Sequence, residues 1–330
     1  MDDVIALSPA SFTTDQEVRW CPGCGDYAIL KGVRKALAEL GRPPHEVVFV
    51  SGIGCAARFP YYVESYGFHT IHGRAAAVAT GVKLASPDLD VYVVGGDGDF
   101  LSIGGNHLVH VLRRNVDVNL ILLNNAIYGL TKGQASPTTL VGTPTASTPA
   151  GSADQPVNAA LLALGSGGRF VARTVDTMQD HLPDMVKRAH QHKGASLLEV
   201  YQNCIVYNDD AWHGLHEKKT ARDMTIRVVH GQPLTYGANG EHGLRFIAET
   251  GRFEILSTAE AGDRITVHDE RNFALATALA RLPAPTVLGV LYCDPAEDFT
   301  AAWGHRAPYR PLARDALQTL LTGENTWVVR

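Results

Sequence analysis

Short apolar runs rich in β-branched residues alternate with longer amphipathic stretches along most of the chain. The apolar runs predict β-strands at 46–51, 90–96, 118–124, 169–175, 196–201 and 286–293. The amphipathic stretches predict helices at 25–40, 74–85, 103–114, 178–192 and 310–321. Because the strands are almost continuously apolar instead of alternating, both faces of their sheet should be covered by helices.

This alternation of strands and helices is typical of an α/β fold with a doubly wound, mostly parallel sheet. We expect one α/β domain over 1–204 and a less regular C-terminal extension over 205–330, packed on the same domain. The connection at 133–156, rich in Thr, Pro and Ser, is too long for an ordinary loop, so we expect it to be functional or disordered.

Composition and charge narrow the class of protein. The 330 residues are 45% hydrophobic and 19% charged, which is typical of a globular protein with a sizeable core. A net charge of −5 gives no basic surface for nucleic acid. No apolar run reaches the about 18 residues of a membrane span, and the opening MDDVIALSPASF lacks the apolar core of a signal peptide. With an odd number of cysteines, five, we expect a cytoplasmic protein whose thiols are reduced or metal-bound.

The most informative segment, 93–129, places polar residues after two consecutive predicted strands. Gly96-Asp97-Gly98-Asp99 ends the first strand, and Asn124-Asn125 ends the second. Ligands of open parallel sheets bind at this edge; glycines let the backbone approach a phosphate. Asp97 and Asn125 offer the oxygen ligands that suit Mg²⁺. Each piece alone is equally typical of a tight turn, but together they predict a phosphate and magnesium site. No G-x-G-x-x-G opens a helix after the first strand, so a Rossmann site is disfavoured.

This spacing resembles the thiamine diphosphate signature, in which a Gly-Asp-Gly turn is followed by a pair of asparagines. The resemblance implies that Asp97, the side chain of Asn125 and the carbonyl of Ile127 are Mg²⁺ ligands. It also implies that the backbone around Gly98 and Asp99 holds the diphosphate.

The cysteines allow three kinds of site: zinc, a redox dithiol or an iron–sulfur cluster. Cys21 and Cys24 precede a predicted helix, whereas Cys55 and Cys204 follow predicted strands at the edge that carries the glycine turn. Structural zinc prefers two close cysteine pairs, a thioredoxin-like dithiol follows a strand, and a cluster accepts scattered ligands. Cys293 also ends a strand, and its simplest interpretation is a small core residue.

Several segments together resemble the β subunit of a 2-oxoacid:ferredoxin oxidoreductase: WCPGCGDYAIL, SGIGCAARFPYY, HTIHGRAAAVATGVKLA, GGDGDFLSIGGNHLVHVLRRN and NNAIYGLTKGQASPTT. The resemblance runs from residue 18 to about 140 and continues through EVYQNCIVYN. It implies a thiamine diphosphate-binding fold and a [4Fe–4S] cluster held by Cys21, Cys24, Cys55 and Cys204, with no counterpart for Cys293. The cofactor-binding residues that it implies are Gly54, Cys55, Gly96, Asp97, Gly98, Asp99, Asn125, Ile127, Gly129 and Leu130.

Two further side chains are candidates for catalytic contacts. Arg58 follows the Cys55 turn, where it is placed to meet the diphosphate or a substrate carboxylate; a surface ion pair is the alternative. His72 lies ahead of a predicted helix and is a candidate for touching cofactor or substrate; a buried structural histidine is the alternative.

The family resemblance implies oxidative decarboxylation of a 2-oxo acid to an acyl-CoA, with thiamine diphosphate and coenzyme A. Electrons would pass through the cluster to ferredoxin. The segment YGLTKGQASPT resembles the 2-oxoglutarate and broad 2-oxoacid branch of the family more than the pyruvate branch, which implies 2-oxoglutarate as the substrate. The glutamate that activates thiamine lies in this family on a separate α subunit, so we expect an α2β2 complex. The alternatives are a pyruvate-type or broad 2-oxoacid enzyme, a non-redox thiamine decarboxylase subunit and a zinc-stabilised, non-catalytic nucleotide-binding subunit.

Overall fold

The computed structural model describes residues 7–306, 313–323 and 327. Its strands are β1 (Val47–Ser51), β2 (Tyr66–His69), β3 (Asp90–Gly96), β4 (Asn119–Asn124), β5 (Phe170–Val175), β6 (Ser196–Tyr201), β7 (Thr225–Val228), β8 (Thr235–Tyr236), β9 (His242–Ile247), β10 (Arg252–Ser257) and β11 (Thr286–Cys293). Its α-helices are α1 (Asp26–Leu40), α2 (Phe59–Tyr62), α3 (Ala75–Ala85), α4 (Gly105–Arg114), α5 (Ala159–Gly165), α6 (Leu182–Gln191), α7 (Lys218–Met224), α8 (Thr258–Ala261), α9 (Phe273–Arg281), α10 (Phe299–Arg306) and α11 (Arg314–Thr322).

The central element is an eight-stranded sheet with the order β2-β1-β3-β4-β6-β5-β11-β7. The strands from β2 to β5 in this order are parallel. β11 runs antiparallel to β5, and β7 runs parallel to β11. The predicted α/β fold with a mostly parallel sheet is therefore confirmed, and every strand predicted from the sequence is present.

Helices cover both faces of this sheet, which explains why its strands are apolar throughout. Along β1, Val48 and Val50 pack on one face with α3, α4, α5 and α9. Val47 and Phe49 pack on the other face with α1, α2 and α6. The same alternation recurs in β3 and β4, so consecutive residues enter opposite layers of the core.

The part of the chain predicted as an extension contributes β7 and β11 to the main sheet and adds a small antiparallel sheet, β10-β9-β8. The sequence did not predict β7 to β10, because β7 and β8 are short and most residues of β9 and β10 are half-buried or exposed. The helix predicted at 310–321 is seen as α11, and its predicted first residues lie outside the described part of the chain. Among the described residues, no helix combines the length and apolar character needed to traverse a bilayer.

Candidate functional site

The carboxyl ends of β1, β3 and β4 open into one cavity of about 310 Å³. Parallel strands bring these ends to the same edge, so turns that are distant in sequence meet there. Every residue that the sequence singled out as cofactor-binding or as a catalytic contact lines this cavity: Gly54, Cys55, Arg58, His72, Gly96, Asp97, Gly98, Asp99, Asn125, Ile127, Gly129 and Leu130. Their roles remain predictions, but the predicted set forms one site.

The turn after β3 is packed so closely that only glycine fits at its centre. A Cβ at Gly98 would lie 2.0 Å from Cε1 of Tyr128, whose hydroxyl donates to the Gly98 carbonyl at 3.2 Å. Tyr128 lies in the wall of the same cavity. The missing side chain at Gly98 therefore makes room for the Tyr128 ring, and both residues line the cavity.

The two carboxylates of the turn have different surroundings. Asp99 Oδ1 accepts from the Gly73 amide at 2.7 Å, and a Cβ at Gly52 would come within 2.0 Å of Asp99 Oδ2. Asp99 thus links the turn after β2 to the turn after β3 by a hydrogen bond and packs closely against Gly52 in the turn after β1. Burial raises the pKa of both Asp97 and Asp99 above the ordinary range of a carboxyl group.

Asp97 and Asn125 form an oxygen-rich corner of the cavity together with Ile127. Asp97 is 1% exposed, and the Asn125 side-chain oxygen accepts from the Ile127 amide at 3.2 Å. A carboxylate, an amide oxygen and a main-chain carbonyl are hard donors of the kind that Mg²⁺ prefers. A positive ion beside Asp97 would also relieve the desolvation that raises its pKa, so this corner fits the predicted cation.

Four cysteine thiols line a second cavity of about 160 Å³: Cys21, Cys24, Cys55 and Cys204. Four thiols around one cavity are a donor set that zinc and an iron–sulfur cluster both accept, so the chemistry of this cavity fits the predicted cluster.

Burial changes the pKa of thiols such as Cys24 and Cys55, and hydrogen bonds hold the loops that carry them. Burial raises the pKa of Cys55 to about 12 and moves the pKa of Cys24 in the same direction, so any metal that these thiols bound would have to displace protons. The Cys24 sulfur accepts from Gln202 Nε2 at 3.3 Å. Trp20 donates its indole N–H to the Cys55 carbonyl at 2.8 Å.

Cys293 lies elsewhere, as the direction of β11 dictates. Because β11 is antiparallel to β5, Cys293 pairs with Phe170 at the start of that strand, on the opposite edge of the sheet. Its sulfur lies 3.9 Å from Nδ1 of His192 and packs against the apolar core. Cys293 is thus half-buried against the core and lies apart from the four cysteines of the cavity, which agrees with its interpretation as a small packing residue.

The two cavities share one wall. Both are lined by Cys55, Arg58, Asn125, Gly129 and Leu130. A Cβ at Gly129 would lie 3.4 Å from the Cys204 sulfur and 3.9 Å from the Cys55 sulfur. The groups that would occupy the two cavities are therefore neighbours, separated by the thickness of this wall.

The candidate contacts Arg58 and His72 both line the larger cavity. Arg58 donates to the Arg19 carbonyl at 3.3 Å and forms no ion pair with a described residue. His72 is exposed, which argues against its interpretation as a buried structural histidine. The sequence analysis missed His69, which lines the same cavity and lies 3.1 Å from the Tyr61 hydroxyl. A prediction of β2 would have revealed it.

Comparisons with known proteins agree with this geometry. Residues 52–200 match the family described as thiamine pyrophosphate enzyme, C-terminal TPP binding domain. The chain is 50% identical over 333 aligned residues to 2-oxoglutarate oxidoreductase subunit KorB of Mycobacterium tuberculosis, covering 96% of this chain and 87% of that relative. The chain belongs to the 2-oxoacid:ferredoxin oxidoreductase β subunits.

Two other relatives agree with this β-subunit assignment. Subunit beta of 2-oxoacid:ferredoxin oxidoreductase 1 from Aeropyrum pernix is 50% identical over 200 residues, covering 61% of this chain and 63% of the relative. The solved 2-oxoglutarate:ferredoxin oxidoreductase from Magnetococcus marinus, with 2-oxoglutarate, coenzyme A and succinyl-CoA bound, matches with a TM-score of 0.78 and 31% identity over 98% of both chains. The predicted family and its thiamine diphosphate-binding fold are confirmed. This β subunit is part of an oxidoreductase that works with an α subunit, which disfavours a non-redox decarboxylase and a non-catalytic zinc protein.

Proposed function

We propose that this chain is the cofactor- and cluster-binding half of a 2-oxoglutarate:ferredoxin oxidoreductase. The overall reaction converts the 2-oxo acid, coenzyme A and oxidised ferredoxin into an acyl-CoA, CO₂, a proton and reduced ferredoxin. Two electrons leave the substrate and reduce two one-electron acceptors, so the balance closes without another oxidant. The observation that carries the proposal is the shared wall between the oxygen-lined cavity and the cysteine cavity.

Each group of residues has a distinct task in this proposal. Thiamine diphosphate, when bound, supplies the carbanion and the electron sink that decarboxylation needs. Asp97, Asn125 and the Ile127 carbonyl hold the Mg²⁺ that neutralises the diphosphate. The bare backbone at Gly98 lets the phosphates approach. Cys21, Cys24, Cys55 and Cys204 hold the [4Fe–4S] cluster, which accepts electrons one at a time.

Arg58 is the proposed contact for a substrate carboxylate. Its guanidinium lies in the wall of the cavity without a carboxylate partner among the described residues. Such a group offers two parallel N–H donors to a carboxylate. 2-Oxoglutarate carries one more carboxylate than pyruvate, and relatives of this chain are named for 2-oxoglutarate. We therefore propose 2-oxoglutarate as the preferred substrate, with His72 beside the reacting end.

Two arguments support the proposed partners: the need for an activating glutamate, and the exposed apolar side chains around the cysteine cavity. The activating glutamate of thiamine enzymes is proposed to come from the α subunit, in an α2β2 complex that delivers electrons to ferredoxin. The apolar side chains of Leu130, Ile205 and Val206 line the cysteine cavity and are about half-exposed. Exposed apolar groups around a functional cavity are typical of a surface that a partner covers. We propose the cytoplasm as the location, since it keeps thiols reduced.

The test is anaerobic purification of the chain together with its α subunit, followed by metal and thiamine analysis and assay with a viologen dye. We expect about four irons and one thiamine per β chain, and faster turnover with 2-oxoglutarate than with pyruvate. Zinc without iron and without thiamine would contradict the proposal. Turnover by the β chain alone would contradict the division of the active site between subunits.

A matched pair of variants tests the substrate contact. Arg58→Ala should raise KM for 2-oxoglutarate while iron and thiamine contents stay at the wild-type level. Arg58→Lys should recover part of the loss, because a point charge replaces the two-pronged contact. An equal effect of Arg58→Ala on 2-oxoglutarate and on pyruvate would show that Arg58 does not read the second carboxylate.

A further inference from the structure

The segment 133–156 begins with buried hydroxyl groups that meet the predicted magnesium ligand Asp97. Ser136 Oγ donates to Asp97 Oδ2 at 2.5 Å, and Thr138 Oγ1 lies 2.6 Å from the same oxygen. Ser136 is 8% exposed and Thr138 is 3% exposed. Both hydroxyls therefore converge on one carboxylate oxygen and leave Oδ1 without a side-chain donor among the described residues.

A second chain of hydrogen bonds anchors Thr138 from the other side. The Arg173 guanidinium donates to Glu199 at 2.8 Å, and Glu199 accepts from the Asn124 side-chain amide at 2.8 Å. Because a carboxylate only accepts, Asn124 must turn its NH₂ group towards Glu199 and its oxygen towards Thr138. That oxygen lies 2.8 Å from Thr138 Oγ1, so the single hydroxyl proton of Thr138 is shared between two acceptors, Asn124 Oδ1 and Asp97 Oδ2.

Further hydrogen bonds hold the residues of segment 133–156 that follow Thr138. Thr139 donates to the Ala126 carbonyl at 2.7 Å and accepts from the Ser136 amide at 2.8 Å. Further along, the segment closes on itself, with the Gly142 amide bonded to the Ser152 carbonyl at 2.7 Å. The bonds to Asp97 are therefore among the contacts that join segment 133–156 to the turns of the cavity, together with the backbone pairing of Gln134 with Tyr128.

We propose that Ser136 and Thr138 are positioning residues that hold Asp97 for Mg²⁺ and couple the order of segment 133–156 to cation binding. This inference rests on the proposed function, since it takes Asp97 to be the cation ligand. The Ser136 donor and the shared proton of Thr138 on Oδ2 hold the carboxylate plane and leave Oδ1 for the cation. Partners of this kind typically account for about 10–100-fold in metal affinity. Because binding linkage is reciprocal, a cation that prefers the fixed carboxylate also stabilises the segment that fixes it.

The test measures Mg²⁺ and thiamine diphosphate binding by calorimetry on the α–β complex after chelation has removed both. Thr138→Val removes the hydroxyl at nearly constant shape, and we expect Mg²⁺ to bind about 10–100-fold more weakly. Thr138→Ser returns the hydroxyl and should bind Mg²⁺ nearly as well as wild type. Ser136→Ala gives an independent variant should Thr138→Val fold poorly. The control is Thr145→Val, since the Thr145 hydroxyl bonds only within the segment, to Ser147 and Thr148.

Amide hydrogen exchange of 133–156 supplies the second readout. Adding Mg²⁺ with thiamine diphosphate should slow exchange of this segment in the wild type and in Thr145→Val, and much less in Thr138→Val. Wild-type affinity in Thr138→Val, an equal loss in Thr138→Ser or an equal loss in Thr145→Val would each overturn the inference. A wild-type complex that binds neither Mg²⁺ nor thiamine diphosphate would instead overturn the proposed function.

Discussion

Replacing Gly98 with alanine should damage the cofactor turn without touching any predicted ligand side chain. The new methyl group would lie 2.0 Å from Cε1 of Tyr128. Carbon atoms in contact are about 3.5–4.0 Å apart, so the ring or the turn must move by about 1.5–2 Å. Overpacking of this kind costs about 1–3 kcal/mol. Losing the bond from the Tyr128 hydroxyl to the Gly98 carbonyl adds about 0.5–1.5 kcal/mol.

The combined cost of about 3 kcal/mol can lower either the stability of the folded protein or its affinity for thiamine diphosphate. If the turn moves, the cofactor-free complex should unfold about 6 °C lower, because 1 kcal/mol shifts the midpoint of a large domain by about 2 °C. If Tyr128 swings into the cavity instead, thiamine diphosphate should bind about 100-fold more weakly. Thermal unfolding measures the loss of stability, and calorimetric titration in excess Mg²⁺ measures the loss of binding free energy for thiamine diphosphate. The two losses together should account for the full cost. The control is Gly81→Ala in α3, where no atom lies within 4 Å of the added carbon.

A double-mutant cycle separates the clash from other effects of the methyl group. In a Tyr128→Ala background the ring is gone, so Gly98→Ala should cost little there. Unchanged unfolding and cofactor affinity in Gly98→Ala would refute the reasoning. An equal loss in both backgrounds would show that the ring is not the cause.

Three further predictions concern the thiols, the buried ion pair and pH. In the co-purified complex, Cys204→Ser should lower iron and sulfide content and bleach the visible absorption, whereas Cys293→Ser should leave both as in wild type; equal iron in the two variants would contradict the assignment. Glu199→Gln leaves the Arg173 guanidinium without its counter-charge in the core and should cost about 3 kcal/mol, measured by denaturant unfolding. Burial lowers the pKa of His181 from 6.5 to about 4, so the folded state holds it neutral. The contribution of neutral His181 to the free energy of unfolding is fully present above pH 6.5. It is lost as the pH falls through about 4, and the loss amounts to about 3 kcal/mol. His181→Asn should flatten this part of a pH series of unfolding free energies, and an unchanged slope would exclude His181 as the cause.

The elements predicted best from the sequence are those that a pattern within one short run of residues identifies. The central strands are buried on both faces, so each is a distinct apolar run, and the predicted 90–96 matches Asp90–Gly96 of β3. Turn chemistry follows directly from strand ends in a parallel sheet. The cavity that gathers Asp97, Asn125 and Cys55 was therefore foreseeable before any coordinates.

The features that were missed depend on contacts between distant parts of the chain. β2 has all four residues exposed, so no burial pattern marks it, and His69 went unnoticed with it. Ser136 and Thr138 look like ordinary loop residues, because their partner Asp97 belongs to another turn. The sequence offered a weak signal only in the unusual length of the connection that carries them.

The antiparallel return of β11 also decides how the chain can be divided. β5 carries its neighbours β6 and β11 on either side, and β11 comes from far beyond residue 204. A fragment that stops at 204 would keep all four cysteines of the cysteine cavity but would leave β5 with a bare row of amides and carbonyls. Such an edge is a template for pairing between chains. By pairing with β5, β11 from the last third of the chain covers this edge and protects the protein from aggregation. Shortened versions for expression should therefore retain β7 and β11.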